Sequence, residues 1–192
     1  MSGIITYRIA TERDAEALLE IYRPYVETTA VSFETVTPSL ETFRERIREI
    51  GKGYPYLVAE QDGQPIGYSY ASRYRTRAGF LWTAELSVYV RRDLRGNGIG
   101  TRLFAAVLDL LRLQGYRNAV SVVSLPNLAS EKLHYRFGFR LAGKQIKCGY
   151  KNGSWCDVGI FERPLSDYPD PPELPLPFSQ LSEEDVERIL KF

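Results

Sequence analysis

The spacing of apolar residues changes from stretch to stretch along the chain, and each change marks an element. Leu18, Tyr22, Tyr25 and Val26 sit at relative positions 0, 4, 7 and 8, on one face of a helix. Ahead of them, Thr11 and Asp14 form a capping-box pattern with Asp in place of the usual Glu or Gln. Leu40, Phe43, Ile47 and Ile50 predict a second helix, which Gly51 and Gly53 should end. Thr6 to Ala10 reads as a first strand. Tyr56 to Glu60 and Pro65 to Tyr74 flank the turn residues Asp62-Gly63, as in an antiparallel hairpin. Leu81 to Val90 is rich in β-formers and reads as a long strand.

A glycine-rich turn from Arg95 to Gly100 then leads into a helix carrying Leu103, Val107, Leu110 and Leu111, closed by Gly115. Ala119 to Ser124 is a strand, and Pro126-Asn127 opens a helix running to about Phe137. Phe139 to Cys148 and Trp155 to Glu162 pair across Asn152-Gly153, a strong type I′ turn signal. The order is strand, two helices, three strands, helix, strand, helix, two strands, with no internal repeat. It predicts an α+β fold on a mixed sheet with one βαβ unit at its centre.

The chain divides at Leu165 into a domain over 1–165 and a tail over 166–192. Tyr168 to Pro177 holds five prolines among ten residues and should be extended. A short helix follows from Ser182-Glu183-Glu184 to near Lys191. The tail's apolar residues (Leu174, Leu176, Phe178, Ile189, Leu190) suit either packing across a dimer interface or a loose appendage.

Composition narrows the function. Hydrophobic residues make up 44% and charged residues 26%, ordinary for a soluble domain. With 25 basic and 24 acidic residues the net charge is +1, which gives no support to a nucleic-acid partner. No apolar run approaches the roughly 18 residues of a membrane span. The N-terminus lacks the pattern of a signal peptide, so a cytoplasmic location is expected. Cys148 and Cys156 are too few for a disulfide framework and are expected to be free thiols. One histidine and no Cys-x-x-Cys leave no zinc set, and no metal is expected.

The most specific feature is Arg95-Gly96-Asn97-Gly98-Ile99-Gly100 between a strand and a helix. Glycines at alternate positions let the backbone curl so that successive N–H groups converge. The helix start adds unpaired N–H groups and its dipole. The product suits a diphosphate. A Walker loop would end in Gly-Lys-Ser/Thr, and here Thr101 and Arg102 follow Gly100. A dinucleotide fingerprint would read Gly-x-Gly-x-x-Gly near the first strand. A plain helix-start turn without ligand is the remaining reading.

Arg-x-x-Gly-x-Gly after Val88-Tyr89-Val90 resembles the acetyl-CoA motif of the GNAT superfamily of N-acetyltransferases. Asn127-x-x-Ser130-x-x-Leu133-His134-x-x-x-Gly138-Phe139 resembles its second motif. Trp82-Thr83-Ala84-Glu85, Thr29-x-Val31-x-Phe33, Leu125-Pro126-Asn127 and Gly153-x-Trp155-x-Asp157-Val158-Gly159 are similar to the phosphinothricin and methionine sulfone acetyltransferases, from about Ile9 to Leu165. The resemblance implies a GNAT fold whose mostly antiparallel sheet splays at its middle strands. It implies acetyl-CoA as co-substrate, bound along Val88, Tyr89 and Val90, with the backbone of Val88 and Val90 free to pair with the pantetheine arm. Arg95, Gly96, Asn97, Gly98, Ile99, Gly100 and Thr101 would hold the diphosphate, and the Asn127 amide would meet the arm near the thiol. It also implies a homodimer and detoxification of small amino-acid analogues.

Acetylating an ammonium requires removal of a proton, and a carboxylate serves that end. Glu85 shares a strand face with Thr83 and Ser87, while Leu86 and Val88 point the other way. It fits a general base, an exposed strand edge or a structural ion pair, and the resemblance implies the base. N–H groups near Leu86 to Val88 would polarise the thioester carbonyl. His134, the single histidine, stands where many relatives have a tyrosine that protonates the departing thiol. An inert helix histidine is the alternative. Arg75 and Arg77 match basic positions and Phe33 an aromatic one of substrate pockets, though Arg75 and Arg77 also suit a solvated hairpin end. Cys156 and Asn152 depart from the phosphinothricin pattern. The expected reaction is direct acetyl transfer to a small-molecule amine. An aminoglycoside, polyamine or peptide acceptor, or a non-catalytic acyl-CoA-binding regulator, stands as the alternative.

Overall fold

The computed structural model describes residues 3–191. Seven strands form one sheet in the order β1-β2-β3-β4-β5-β7-β6. β1 (Ile5–Ile9), β2 (Tyr56–Gln61), β3 (Gln64–Arg73) and β4 (Thr83–Val90) follow one another antiparallel. β5 (Asn118–Leu125), β7 (Ser154–Pro164) and β6 (Arg140–Lys151) do the same at the other end. β4 and β5 are parallel, so a crossover must join them, and α3 (Ile99–Gln114) supplies it. This is the expected α+β architecture with its central βαβ unit.

Both faces of the sheet are covered. Residue alternation along β2 shows why its sequence reads as continuously apolar. Leu57 and Ala59 enter a cluster built around α3, with Ile66, Leu86, Val90, Phe104, Val107 and Leu111. Tyr56 and Val58 enter a second cluster under α1 (Ala15–Thr28) and α2 (Leu40–Gly53), with Leu18, Tyr22, Tyr25, Phe43, Ile47 and Tyr68. The helix faces inferred from apolar spacing are therefore the buried ones. Ser39 caps α2 by accepting the Thr42 N–H at 3.1 Å.

Several boundaries differ from expectation, and α2 runs through Gly51 and Gly53 to a Tyr54 C-cap instead of ending before those glycines. β4 begins at Thr83 rather than Leu81 because Ala78–Phe80 forms a 3-10 turn. Trp82 instead offers its carbonyl to the Arg117 and Asn118 N–H groups at 2.9 and 3.1 Å. β6 runs on to Lys151 through register irregularities at Leu141/Gly143 and Gln145/Gly149. Its turn carries Asn152 at φ 51° and Gly153 at φ 77°, the left-handed pair that Asn-Gly favours. α4 (Leu128–Arg136) starts one residue after Asn127, which is its N-cap.

Residues beyond Leu165 are not a loose appendage. The Trp82 indole donates to the Glu173 carbonyl at 2.7 Å, and Gln114 accepts the Leu176 N–H through its own carbonyl at 2.8 Å. The Gln114 side-chain amide donates to both Leu176 O and Gly53 O, at 2.7 and 2.8 Å. Phe178 and Val186, the latter on α5 (Glu183–Leu190), join the α3-side cluster. The core therefore continues past residue 165.

Candidate active site

β4 and β5 pair only at Thr83↔Asn118, Ala84↔Ala119 and Glu85↔Val120. Past Glu85 the strands separate, and the Ser121 hydroxyl reaches back to the Leu86 carbonyl at 3.3 Å as a last link. A cleft of about 440 Å³ opens there between Val88 and Val90 on one side and Asn127, Ser130 and Leu133 on the other. Arg95, Gly96, Gly98, Ile99, Gly100 and Thr101 form its end, whereas Asn97 does not line it. A smaller hollow of about 60 Å³ touches Leu86 to Tyr89, Ser121, Asn127 and His134.

The three glycines of the turn divide two tasks. Gly96 and Gly98 take φ values of 85° and 81°, open to glycine without strain. Gly100 sits close against β4: a Cβ would lie 3.3 Å from Val90 Cγ2, a tight contact to which the valine would have to yield by a few tenths of an ångström. Gly98 is the N-cap of α3 and offers no side chain, leaving the N–H groups of Ile99, Gly100 and Thr101 uncapped at the cleft. Those donors, with the helix dipole, make an anion site.

The Val90 backbone is not free in the way the resemblance implied. The Tyr25 hydroxyl donates to its carbonyl at 2.5 Å and accepts its N–H at 3.3 Å. Arg95 completes the group, with Nε donating to the same hydroxyl at 3.2 Å and its guanidinium 4.8 Å from the ring centre. Tyr89 contributes backbone to the hollow, but its ring packs edge-on against Tyr22 and Tyr25 across the sheet. Asn127 spends its side-chain carbonyl capping α4, accepting the Ser130 N–H at 3.2 Å. Its NH₂ group remains for a ligand.

Glu85 is the residue at which pairing stops. It has no hydrogen-bond or ion-pair partner among the described residues, so the structural ion pair is absent. Burial raises its pKa above the ordinary 4.5. A carboxylate so placed holds a proton more readily than one in water.

His134 is 2% exposed and boxed by Phe104, Phe139 and Phe161, with ring centres 5.1, 5.1 and 5.2 Å away. Its Nδ1 lies 2.7 Å from the Ser130 carbonyl, which assigns the ring proton to Nδ1. Nε2 is buried without a partner among the described residues. Burial lowers the pKa below 6.5, against the Ser130 bond that raises it. The ring is therefore neutral near pH 7, and its open nitrogen is an acceptor rather than a ready acid.

The acceptor-side residues are less gathered. Phe33 is 42% exposed and lies on Gly149. The Arg75 guanidinium stacks 4.9 and 5.0 Å from the Tyr74 and Phe80 rings. Arg75 and Arg77 are exposed, and neither lines the cleft. Several cleft-lining residues escaped the sequence reading as site components, Ser130 and Leu133 among them. Tyr25 looked like one more apolar helix position, and Val31, which lines both cavities, lies in a loop without periodicity.

Comparison with known proteins agrees with this geometry. The acetyltransferase (GNAT) domain family matches residues 7–160. The chain is 33% identical to a phosphinothricin N-acetyltransferase of Streptomyces viridochromogenes, over 92% of this chain and 96% of that protein. It is 37% identical to an L-methionine sulfoximine/L-methionine sulfone acetyltransferase of Pseudomonas paraeruginosa, over 81% and 91%. A crystal structure of a GNAT-superfamily phosphinothricin acetyltransferase from Sinorhizobium meliloti, in complex with acetyl-CoA, superposes with a TM-score of 0.81 at 34% identity, covering 86% of this chain and 90% of that one. A cleft flanked by two parting parallel strands, a glycine turn at its end and a family match over most of the length lead to one assignment: this chain belongs to the GNAT acetyltransferases.

Proposed function

We propose that the chain transfers the acetyl group of acetyl-CoA directly to the amino group of a small amino-acid analogue of the phosphinothricin or methionine sulfone/sulfoximine type. The observation that carries this reading is a pair of features at the β4–β5 gap, with Glu85 at the last strand pair beside the gap and outside the lining of both the cleft and the hollow. Uncapped N–H groups of α3 stand at one end, and a partnerless carboxylate stands where the strands part. Two curated relatives of those named activities align over most of the chain.

In this reading the turn from Arg95 to Thr101 holds the diphosphate, and the pantetheine arm lies in the gap beside Val88, with the Asn127 NH₂ near its thiol end. Tyr25 occupies the Val90 polar groups, so Val88 carries the main-chain pairing. The acyl end emerges on the Glu85 face of β4. Glu85 takes a proton from the substrate ammonium. The amine nitrogen then attacks the thioester carbonyl carbon, whose oxygen is polarised by N–H groups near Leu86 to Val88. The C–S bond breaks, an amide forms, and the thiolate leaves. His134, neutral with Nε2 open, accepts a proton from the attacking nitrogen and returns it to the sulfur. It acts as a shuttle and not as an acid at the outset. Phe33, Arg75 and Arg77 are the acceptor-side candidates. The exposed β6–β7 apolar residues Ile146, Tyr150 and Trp155 suit a homodimer contact in the cytoplasm, and light scattering in solution tests the dimer.

Thiol release from acetyl-CoA, measured with phosphinothricin, methionine sulfone, methionine sulfoximine and a panel of aminoglycosides, polyamines and peptides, tests the reading. Turnover confined to the amino-acid analogues is expected. Turnover only on another amine class replaces the substrate, and saturable acetyl-CoA binding without turnover points to a regulatory binder. The departures at Cys156 and Asn152, with Arg75 held away from the cleft, are the reason for the wider panel.

A further inference from the structure

The loop between α1 and α2 belongs to the N-terminal part of the chain, yet two of its fixings, at Ser32 and Phe33, lie on the C-terminal hairpin. Lys151, the last residue of β6, is 6% exposed, and its ammonium donates to the Ser32 carbonyl at 2.5 Å. Ser32 is buried too. Its hydroxyl lies 2.6 Å from the Tyr22 hydroxyl and accepts the Glu34 N–H at 3.2 Å. The Phe33 ring lies on Gly149, where an added Cβ would come within 2.4 Å of it. Glu34 pairs with Arg46 of α2 at 2.6 Å. Val31, the next residue back, walls both the cleft and the hollow.

A buried ammonium is costly unless it is used. Burial lowers the proton affinity of Lys151, and the nearby Glu34 carboxylate works against that loss. A methionine would fill similar volume without the charge. What it could not do is grip a backbone carbonyl 119 positions away in sequence.

We propose that Lys151 is a positioning residue: it fastens Ser32 so that Val31 closes the gap between β4 and β5 and Phe33 borders the acceptor amine. The kinetic part rests on the acetyltransferase reading above, while the fastening itself does not. Lys151→Met tests both. Hydrogen exchange at the amides of residues 30–36 is expected to quicken by about tenfold or more, with α3 unchanged. Acceptor KM should rise about tenfold, while kcat and the acetyl-CoA Kd stay within about twofold. Gly149→Ala reaches the same loop through Phe33 and should raise acceptor KM in the same way. Unchanged exchange and unchanged KM in Lys151→Met would overturn the proposal. So would faster exchange spread over the whole sheet with a falling melting temperature, which marks a fold defect. If wild-type protein acetylates no amine while the exchange result holds, the acetyltransferase reading falls and the fastening stands.

Discussion

The two sides of the central sheet are both buried but differ in chemistry. The α3 side is packed with aliphatic and phenylalanine side chains, among them Ile66, Leu86, Val90, Leu103, Phe104 and Leu111. The α1–α2 side is built on tyrosines: Tyr22, Tyr25, Tyr56 and Tyr68, with Tyr70 and Tyr89 partly buried against them. The Tyr56 and Tyr70 rings stack at 4.8 Å and 15°. Burial pushes the pKa of Tyr56, Tyr68 and Tyr89 well above 10.0, so these hydroxyls supply dipoles without charge. Strand β4 serves both sides: Leu86, Val88 and Val90 face the aliphatic cluster, while Glu85 and Ser87 share the other face with Tyr89. The gap after Glu85 joins the aliphatic side, which carries the glycine turn and His134, to the tyrosine side, which carries the Glu85 carboxylate.

The largest effect should come from the tyrosine side. Glu85→Gln keeps the shape and removes the proposed base, so kcat is expected to fall about 10²–10⁴-fold. The acetyl-CoA Kd, measured by calorimetry, should not change. The wild-type profile of kcat/KM against pH should lose activity on the acid side at a pH above the ordinary glutamate range, because burial raises this carboxyl. That limb should vanish in the variant. A loss below tenfold would move the base elsewhere and dissolve the contrast between the two sides.

His134 belongs to the α3 side, and it should show there as both chemistry and stability. His134→Phe fits the box of three phenylalanines and removes the shuttle, with an expected kcat loss of about 10²-fold. The sign of the stability effect follows from its lowered pKa. As pH falls through 6.5 the unfolded chain takes the proton first, so the folded state loses stability on that descent. The variant should therefore lose less melting temperature than wild type between about pH 7.5 and 5.5. An equal loss in both proteins would mean that the ring is protonated in place.

Much of the fold was legible because it rests on local rules. The α1 face of Leu18, Tyr22, Tyr25 and Val26, the Asn152-Gly153 turn and the glycine turn before α3 each follow from spacing or backbone freedom within a few residues. What stayed hidden depends on distant partners. Proline content in the tail speaks of local conformation and says nothing of Phe178 docking on the α3 side. Lys151 reads as one more hairpin lysine until Ser32 is beside it. Among candidate site residues, the turn's place at the cleft was readable, whereas the tautomer of His134 needed the Ser130 carbonyl, and Arg75 and Arg77 carried no sign of their distance from the cleft.

Gly98→Ala sharpens the comparison from the cofactor end. A left-handed φ of 81° costs alanine about 1–2 kcal/mol. The N–H groups at the start of α3 should shift, raising the acetyl-CoA Kd about tenfold, with kcat at saturation nearly unchanged. A fall in kcat of the same size, with Kd intact, would mean that the turn serves the reacting end of the gap instead.

Tyr25→Phe should have the smallest effect and tests the one hydroxyl that passes from the tyrosine side to the cleft. In the native protein it satisfies both polar groups of Val90 and steadies Arg95. Removing it takes away bonds typically worth about 1 kcal/mol each, and water in the cleft can replace part of the loss. A drop in melting temperature of about 2–4 °C is expected for a chain of this size. The acetyl-CoA Kd decides what the hydroxyl is for. If Val88 alone pairs with the pantetheine arm, Kd moves by less than about threefold. Tighter binding would mean that the arm takes up the Val90 groups once Tyr25 releases them, so that the tyrosine holds in the empty cleft a place the cofactor claims. Binding weakened tenfold or more would make Arg95, freed from its tyrosine, the group that matters at the diphosphate.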